Sequence, residues 1–141
     1  MNEKILISAG MYTFGARLET GKAPQTCAAF LTLLPFRQQL IQARWSGEAC
    51  WIPLGDFKLA NVGYENTTSY PGRGEILFYP GGISETEFLV PYGHTSFASK
   101  AGQLAGNHFM TIVEGGENLA ALGQLCLWHG VQAITFEAVE G

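Results

Sequence analysis

Polar and apolar residues alternate along most of this chain, and two stretches break the alternation with a helical period. Residues 4–9 (KILISA) and 12–19 (YTFGARLE) read as strands. In the second, Phe14, Ala16 and Leu18 alternate with Thr13, Arg17 and Glu19, the period of a half-buried strand. Then the period changes. In APQTCAAFLTLLP, Cys27, Phe30, Leu31 and Leu34 fall at i, i+3, i+4 and i+7, one apolar stripe on a helix. Pro24 suits its first turn and Pro35 marks its end.

Alternation returns at 39–45 (QLIQARW). Ile41, Ala43 and Trp45 share one face, and Leu40, Gln42 and Arg44 the other. Ser46-Gly47-Glu48 makes a turn, and 49–54 (ACWIPL) returns as a strand. Residues 55–74, rich in Gly, Asn, Thr and Pro, read as a long loop. Strands follow at 75–80 and 86–92, then a second long loop over 93–106 and a strand at 108–113. A second helix has Asn118 as its cap, Leu119, Leu122 and Cys126 as its stripe, and Gly130 after its end. Residues 131–137 (VQAITFE) form the last strand. About eight strands and two helices make a mainly β chain, and eight strands suit a small closed barrel filled by its own side chains.

The segment FGARLETGKAPQTCAAFLTLLP resembles the second strand and first helix of the cyclophilins, and VEGGENLAALGQL with the strand after it resembles their second helix and last strand. More closely, RWSGEACWIPL, GEILFYPGG and FLVPYGHTSFASKAGQLAGNHF are similar to a bacterial family of small stand-alone cyclophilin-like proteins of unknown function. The resemblance implies one domain over 1–141: a cyclophilin-like eight-stranded antiparallel closed β-barrel capped by two α-helices. It also implies a binding groove on the outer face of the sheet that holds Arg44. Prolyl isomerases of this fold carry an Arg on the third strand, which Arg44 matches. They follow it with Phe-Met-x-Gln, where this chain has Ala49, Cys50, Trp51, Ile52 and Pro53. Their Asn-Gly-Ser-Gln-Phe-Phe segment is absent as well. These departures count against isomerase activity.

In QARWSGEACW, Arg44 stands beside Trp45, and Glu48 lies between Trp45 and Trp51. If Ile41, Ala43 and Trp45 fill the barrel, Gln42 and Arg44 line the groove and Arg44 meets a carboxylate or carbonyl, with Trp45 and Trp51 as walls. The competing reading is an Arg44–Glu48 ion pair bracing the turn. Glu48 is a candidate general base, though a salt bridge would lower its pKa and suit it poorly to that work. His108, beside Asn107, is a candidate titrating group near neutrality. Tyr79, Tyr92 and Phe97 offer apolar walls, the two tyrosines with polar tips, as ligand sites have. The catalytic candidates are therefore Arg44, Glu48 and His108. The ligand-binding candidates are Gln42, Arg44, Trp45, Trp51, Tyr79, Tyr92, Phe97, Asn107 and His108.

Composition narrows the function. The hydrophobic fraction is 47% and the charged fraction 14%, which marks an ordinary globular chain with surface to cover by ligand or subunit. Net charge is −4 and the eight Lys and Arg are scattered, against nucleic acid and anionic membranes. MNEKILISAG lacks a signal-peptide core, no apolar run approaches a membrane span, and three distant cysteines suit a reducing cytosol. His94, His108 and His129 lack metal-ligand spacing and there is no CxxC, so neither a metal nor a cofactor is expected. GxSxG and phosphate-loop motifs are missing too. Three functions remain. The first is a protein that binds or transforms a small polar metabolite bearing a carboxylate or amide. The second is a prolyl isomerase or peptide binder. The third is a non-catalytic interaction subunit. A homo-oligomer is expected from the apolar surface.

Overall fold

The computed structural model describes residues 4–139. In chain order the elements are β1 (Lys4–Ala9), β2 (Tyr12–Leu18), α1 (Pro24–Leu31), β3 (Phe36–Gln42), β4 (Gly47–Gly55), β5 (Thr67–Thr68) and β6 (Glu75–Tyr79). Then come β7 (Thr86–Thr95), β8 (Ala98–Ser99), β9 (Gly102–Gln103), β10 (Gly106–Glu114), a 3-10 turn (Gly116–Asn118), α2 (Leu119–His129) and β11 (Gln132–Val139). Eight strands are neighbours in the order β2, β1, β11, β3, β4, β7, β6, β10, and β10 pairs back onto β2. Every pairing is antiparallel. The sheet therefore closes into a barrel, which leaves none of these eight strands as an open edge.

The barrel is filled by its own side chains. Phe30 of α1 packs edge-on against Phe36, Phe88 and Phe136 and tilted against Phe109, with ring centroids 5.2–6.1 Å apart, in the offset geometries that aromatic quadrupoles prefer. Helix α1 has no cap on its own segment, because Ala23 holds the N-cap position. Glu65 reaches in from the long loop instead. Its carboxylate accepts the N–H groups of Gln25 and Thr26 at 2.9 and 2.8 Å and the Thr26 hydroxyl at 2.5 Å, so an anion sits where the helix dipole favours one. Helix α2 buries Leu119, Leu122, Gly123 and Cys126, and the Tyr92 ring lies so close to Gly123 that a β-carbon there would overlap it. Cys27, Cys50 and Cys126 are free and buried.

One strand differs from its sequence reading in a way that matters for the site. The alternation predicts 39–45 with Ile41, Ala43 and Trp45 inside. The strand is Phe36–Gln42, and Leu40 is the residue in the main core. In the register Ile41 faces Trp51 and Gln42 faces Cys50. Cys50 and Ile52 are core residues and Trp51 is not, so Ile41 lies outside with Trp51. The cause is the adjacent pair Leu40-Ile41. Two apolar residues in succession leave the phase of the pleat open, and a slip of one residue turns every side chain to the other face. Helix α1 also ends at Leu31, so Leu34 packs against the core from the connection that follows.

A second, smaller apolar cluster lies on the outer face of β4, β7 and β6. It contains Ala43, Ala49, Leu77, Tyr79, Leu89, Phe97 and Leu104, with Trp51 packed against it. The segment between β7 and β10, residues 96–105, covers it and holds the β8–β9 hairpin. Ser46 fastens this loop: its hydroxyl donates to the Ala98 carbonyl and accepts the Ala98 N–H, both at 3.1 Å. Farther along, the Phe97 N–H donates to the Ser69 carbonyl at 2.7 Å. Phe97 and Leu104 are thereby pressed onto the sheet.

Candidate functional site

Beside this outer cluster the covering loop stops short, and a cleft of about 340 Å³ opens. One wall is the turn after β3, residues 42–46. Residues 98–100 lie next to it, tied by the Ser46–Ala98 bonds. Trp51 contributes from β4. Ser84, just before β7, and Glu87, near the start of that strand, close the other side.

Arg44 and Trp45 belong to the turn and not to a strand. Trp45 is 54% exposed, and the Arg44 guanidinium lies 5.7 Å from the centre of its ring, within cation–π range. That stacking orients the guanidinium while leaving its N–H fork available. The Arg44–Glu48 ion pair of the competing reading does not form. Among the described residues the ion pairs are Lys4–Glu114 and Arg17–Glu19. Glu48 turns instead toward β7, where Oε1 accepts the His94 N–H at 2.8 Å, and Thr95 donates its hydroxyl to the Glu48 carbonyl at 3.0 Å. Glu48 is thus a brace between β4 and β7 and lies outside the lining of the cleft.

The structure divides the other sequence candidates. Gln42 lines the cleft, and it also braces the barrel: Oε1 accepts the Tyr92 hydroxyl at 3.1 Å and Nε2 donates to the Gly47 carbonyl at 3.2 Å. Tyr92 itself belongs to the main core, where burial pushes its phenol pKa up. Tyr79 and Phe97 meet edge to face at 5.9 Å in the outer cluster, as part of the support behind Trp51. The Tyr79 hydroxyl accepts the Ser84 N–H at 3.3 Å.

Asn107 and His108 are not brought to this place. Asn107 is fully buried, where it accepts the Glu65 N–H at 2.7 Å and donates to Thr26 Oγ1 and to the Gly63 carbonyl. It organises the loop that caps α1. His108 Nε2 lies 2.7 Å from Thr111 Oγ1, whose hydroxyl donates to Glu19 at 2.5 Å. Burial raises the Glu19 pKa, but the bonds from Thr111 and Arg17 outweigh it, and the carboxylate is held below its usual range. Neither Asn107 nor His108 lines the cleft.

Glu87 is the residue that sequence reasoning passed over. It pairs with Pro53 on one side and Tyr79 on the other, so a strand flanks it on both sides. It is 5% exposed. Among the described residues no hydrogen bond or ion pair engages its carboxyl. Burial, and then the nearby charge of Glu85, push that carboxyl up to about 8. A strongly perturbed acid in a cleft is a candidate functional group. Lys100 and Arg44 supply two cations to the same lining. The only sequence signal is the carboxylate that interrupts the apolar run of TEFLVPY, and it does not say that the group is buried. Among the described residues, no group of three or more His, Cys, Asp or Glu could hold a metal ion, and no helix is long and apolar enough to cross a membrane.

Solved structures place the fold. McbB, solved in complex with tryptophan, matches with a TM-score of 0.71 at 19% identity; the match covers 94% of this chain and 44% of that one, so the chain spans less than half of McbB. A hypothetical protein from Archaeoglobus fulgidus matches at 0.64 and 16% identity over 96% and 94% of the two chains. A cyclophilin-type peptidyl-prolyl cis-trans isomerase from Cryptosporidium parvum matches at 0.59 and 15% identity over 100% and 99%. The likeness is one of fold, and the barrel is cyclophilin-like. No curated protein matches the chain. A family model matches residues 5–138, nearly the whole of the chain, and the protein belongs to that family, described as a protein of unknown function (DUF3830).

Proposed function

We propose that the outer-face cleft binds a small organic molecule bearing a carboxylate, with the carboxylate on Arg44 and an apolar body against Trp51. The observation that carries this reading is the Arg44 guanidinium, stacked on Trp45 at the cleft wall with no acidic side chain bound to it among the described residues. A planar guanidinium fork held by an aromatic face suits two-pronged recognition of a carboxylate. The volume of about 340 Å³ falls at the small end of ligand sites and suits a metabolite better than a folded partner. McbB supports the reading in kind: it shares this fold over less than half of its length and has been solved in complex with tryptophan, a small aromatic molecule that bears a carboxylate.

Calorimetric titration with 3-phenylpropionate tests it. The wild type is expected to bind, and Arg44→Ala to weaken binding about tenfold or more without changing the melting temperature, because Arg44 is exposed. Equal binding by both proteins removes Arg44 from the site. The prolyl-isomerase alternative is supported by the fold alone, a weak warrant. Accelerated cis–trans exchange in proline peptides, lost in Arg44→Ala, would favour it instead.

A further inference from the structure

We infer that the ligand of the cleft carries a second charge, an ammonium or other protonated amine, and that Glu87 is the group that binds it. This rests on the carboxylate reading above and adds the opposite pole. The cleft is polarised along its lining. Arg44 and Lys100 come from the 42–46 turn and the 98–100 segment, which the Ser46–Ala98 bonds hold together. Glu87 comes from the other side with Ser84, and a second carboxylate, Glu85, is near it. Cations at one side and the Glu87 carboxyl at the other complement a zwitterion whose two charged groups face opposite walls and whose apolar body lies on Trp51.

Glu87 has the features of a binding group waiting for its partner. It is nineteen-twentieths buried, faces the cleft, and receives no hydrogen bond or cation from the described residues. A buried carboxylate in that position is costly, so the free protein keeps the group protonated, in keeping with a pKa near 8. An arriving ammonium reverses the balance, because an opposite charge at close range favours the ionised form. Glu87 then gives its proton to solvent and the ligand keeps all of its own. Binding an ammonium thus releases up to one proton near neutral pH. A ligand that merely accepts a hydrogen bond from the neutral carboxyl releases none.

The experiment compares L-phenylalanine, phenethylamine and 3-phenylpropionate, which carry both charges, the amine alone and the carboxylate alone on one aromatic frame. Affinities are measured by calorimetry near pH 7 in two buffers of different ionisation enthalpy, for the wild type and for Glu87→Gln. L-Phenylalanine is expected to bind the wild type about tenfold tighter than 3-phenylpropionate and to release most of a proton. Glu87→Gln should erase the preference while binding 3-phenylpropionate within about twofold of wild type, which also shows that the variant is folded. If 3-phenylpropionate binds through Arg44 but L-phenylalanine binds no tighter, or releases no proton, the inference falls and the carboxylate reading stands. If phenethylamine alone binds, and binds through Glu87, the carboxylate reading falls and the amine contact stands. If none of the three binds, both are overturned.

Discussion

Glu87→Gln offers a sharp test of the cleft's electrostatics, because it removes a titrating group and keeps the side chain's size. In the folded protein the carboxyl holds its proton up to about 8, against 4.5 for an unperturbed glutamate. The unfolded chain releases the proton near the lower value. Between the two, unfolding sheds a proton, so rising pH favours the unfolded state. The favourable contribution of neutral Glu87 is therefore complete below about pH 4.5 and lost as the pH passes about 8. The gap from 4.5 to about 8, at ~1.4 kcal/mol per pH unit, corresponds to on the order of 5 kcal/mol. Water at the mouth of the cleft relaxes the buried charge, so a change of about 2 to 5 kcal/mol is expected in practice. Urea denaturation of both proteins from about pH 5 to about pH 9 reads it out, and the other titrating groups cancel in the difference. The glutamine variant should gain on the wild type steadily with pH and be the more stable protein at the alkaline end. A difference constant within ~0.5 kcal/mol would show that the fold does not hold Glu87 neutral. A wild type that gains on the variant with rising pH would place a cation, such as Lys100, on Glu87.

Further outcomes follow from the rest of the structure. Glu65→Gln should cost about 1 to 3 kcal/mol at neutral pH, since it weakens three bonds at the start of α1. Burial opposes the Glu65 charge, but those bonds hold its pKa below the usual range, so the gap to wild type should close as the pH falls through that pKa. Gly123→Ala should destabilise the fold by about 1 to 3 kcal/mol through an overlap with the Tyr92 ring, and so lower the melting temperature; an unchanged melting curve would show that Tyr92 can move aside. We propose that the protein self-associates through α2, which has no Asp, Glu, Lys or Arg and leaves Leu127 and Trp128 exposed. Sedimentation should find a species larger than the monomer that Trp128→Glu dissociates, and a monomer at all concentrations would contradict it.

The barrel and its helices were legible because alternation and helical period are written residue by residue. The stripe of Cys27, Phe30 and Leu31 and that of Leu119, Leu122 and Cys126 have clear phases, and each helix buries the expected side. Strand β3 was legible as a strand but not in phase, since Leu40 and Ile41 both fit an inward position and only pairing with β4 decides between them. The site was half legible. Arg44, Trp45 and Trp51 were singled out and do share the cleft. Tyr92, Asn107 and His108 were grouped with them because they flank the same loop, yet the sequence does not say on which side of the sheet each is used. Asn107 works beneath α1, His108 works with Thr111 and Glu19, and Tyr92 packs under α2. Glu87 stayed hidden for a related reason. A lone carboxylate in a strand reads as solvent-facing, and its burial depends on flanking strands and a loop distant in sequence.

Whether the cleft between Arg44, Trp51 and Glu87 is a ligand site is decided by a crystal structure of the protein grown with 3-phenylpropionate. The expected result is density in the cleft, with the carboxylate on the Arg44 guanidinium and the ring against Trp51. A cleft without the molecule, or the molecule bound elsewhere on the barrel with Arg44 still lying on Trp45, would contradict it.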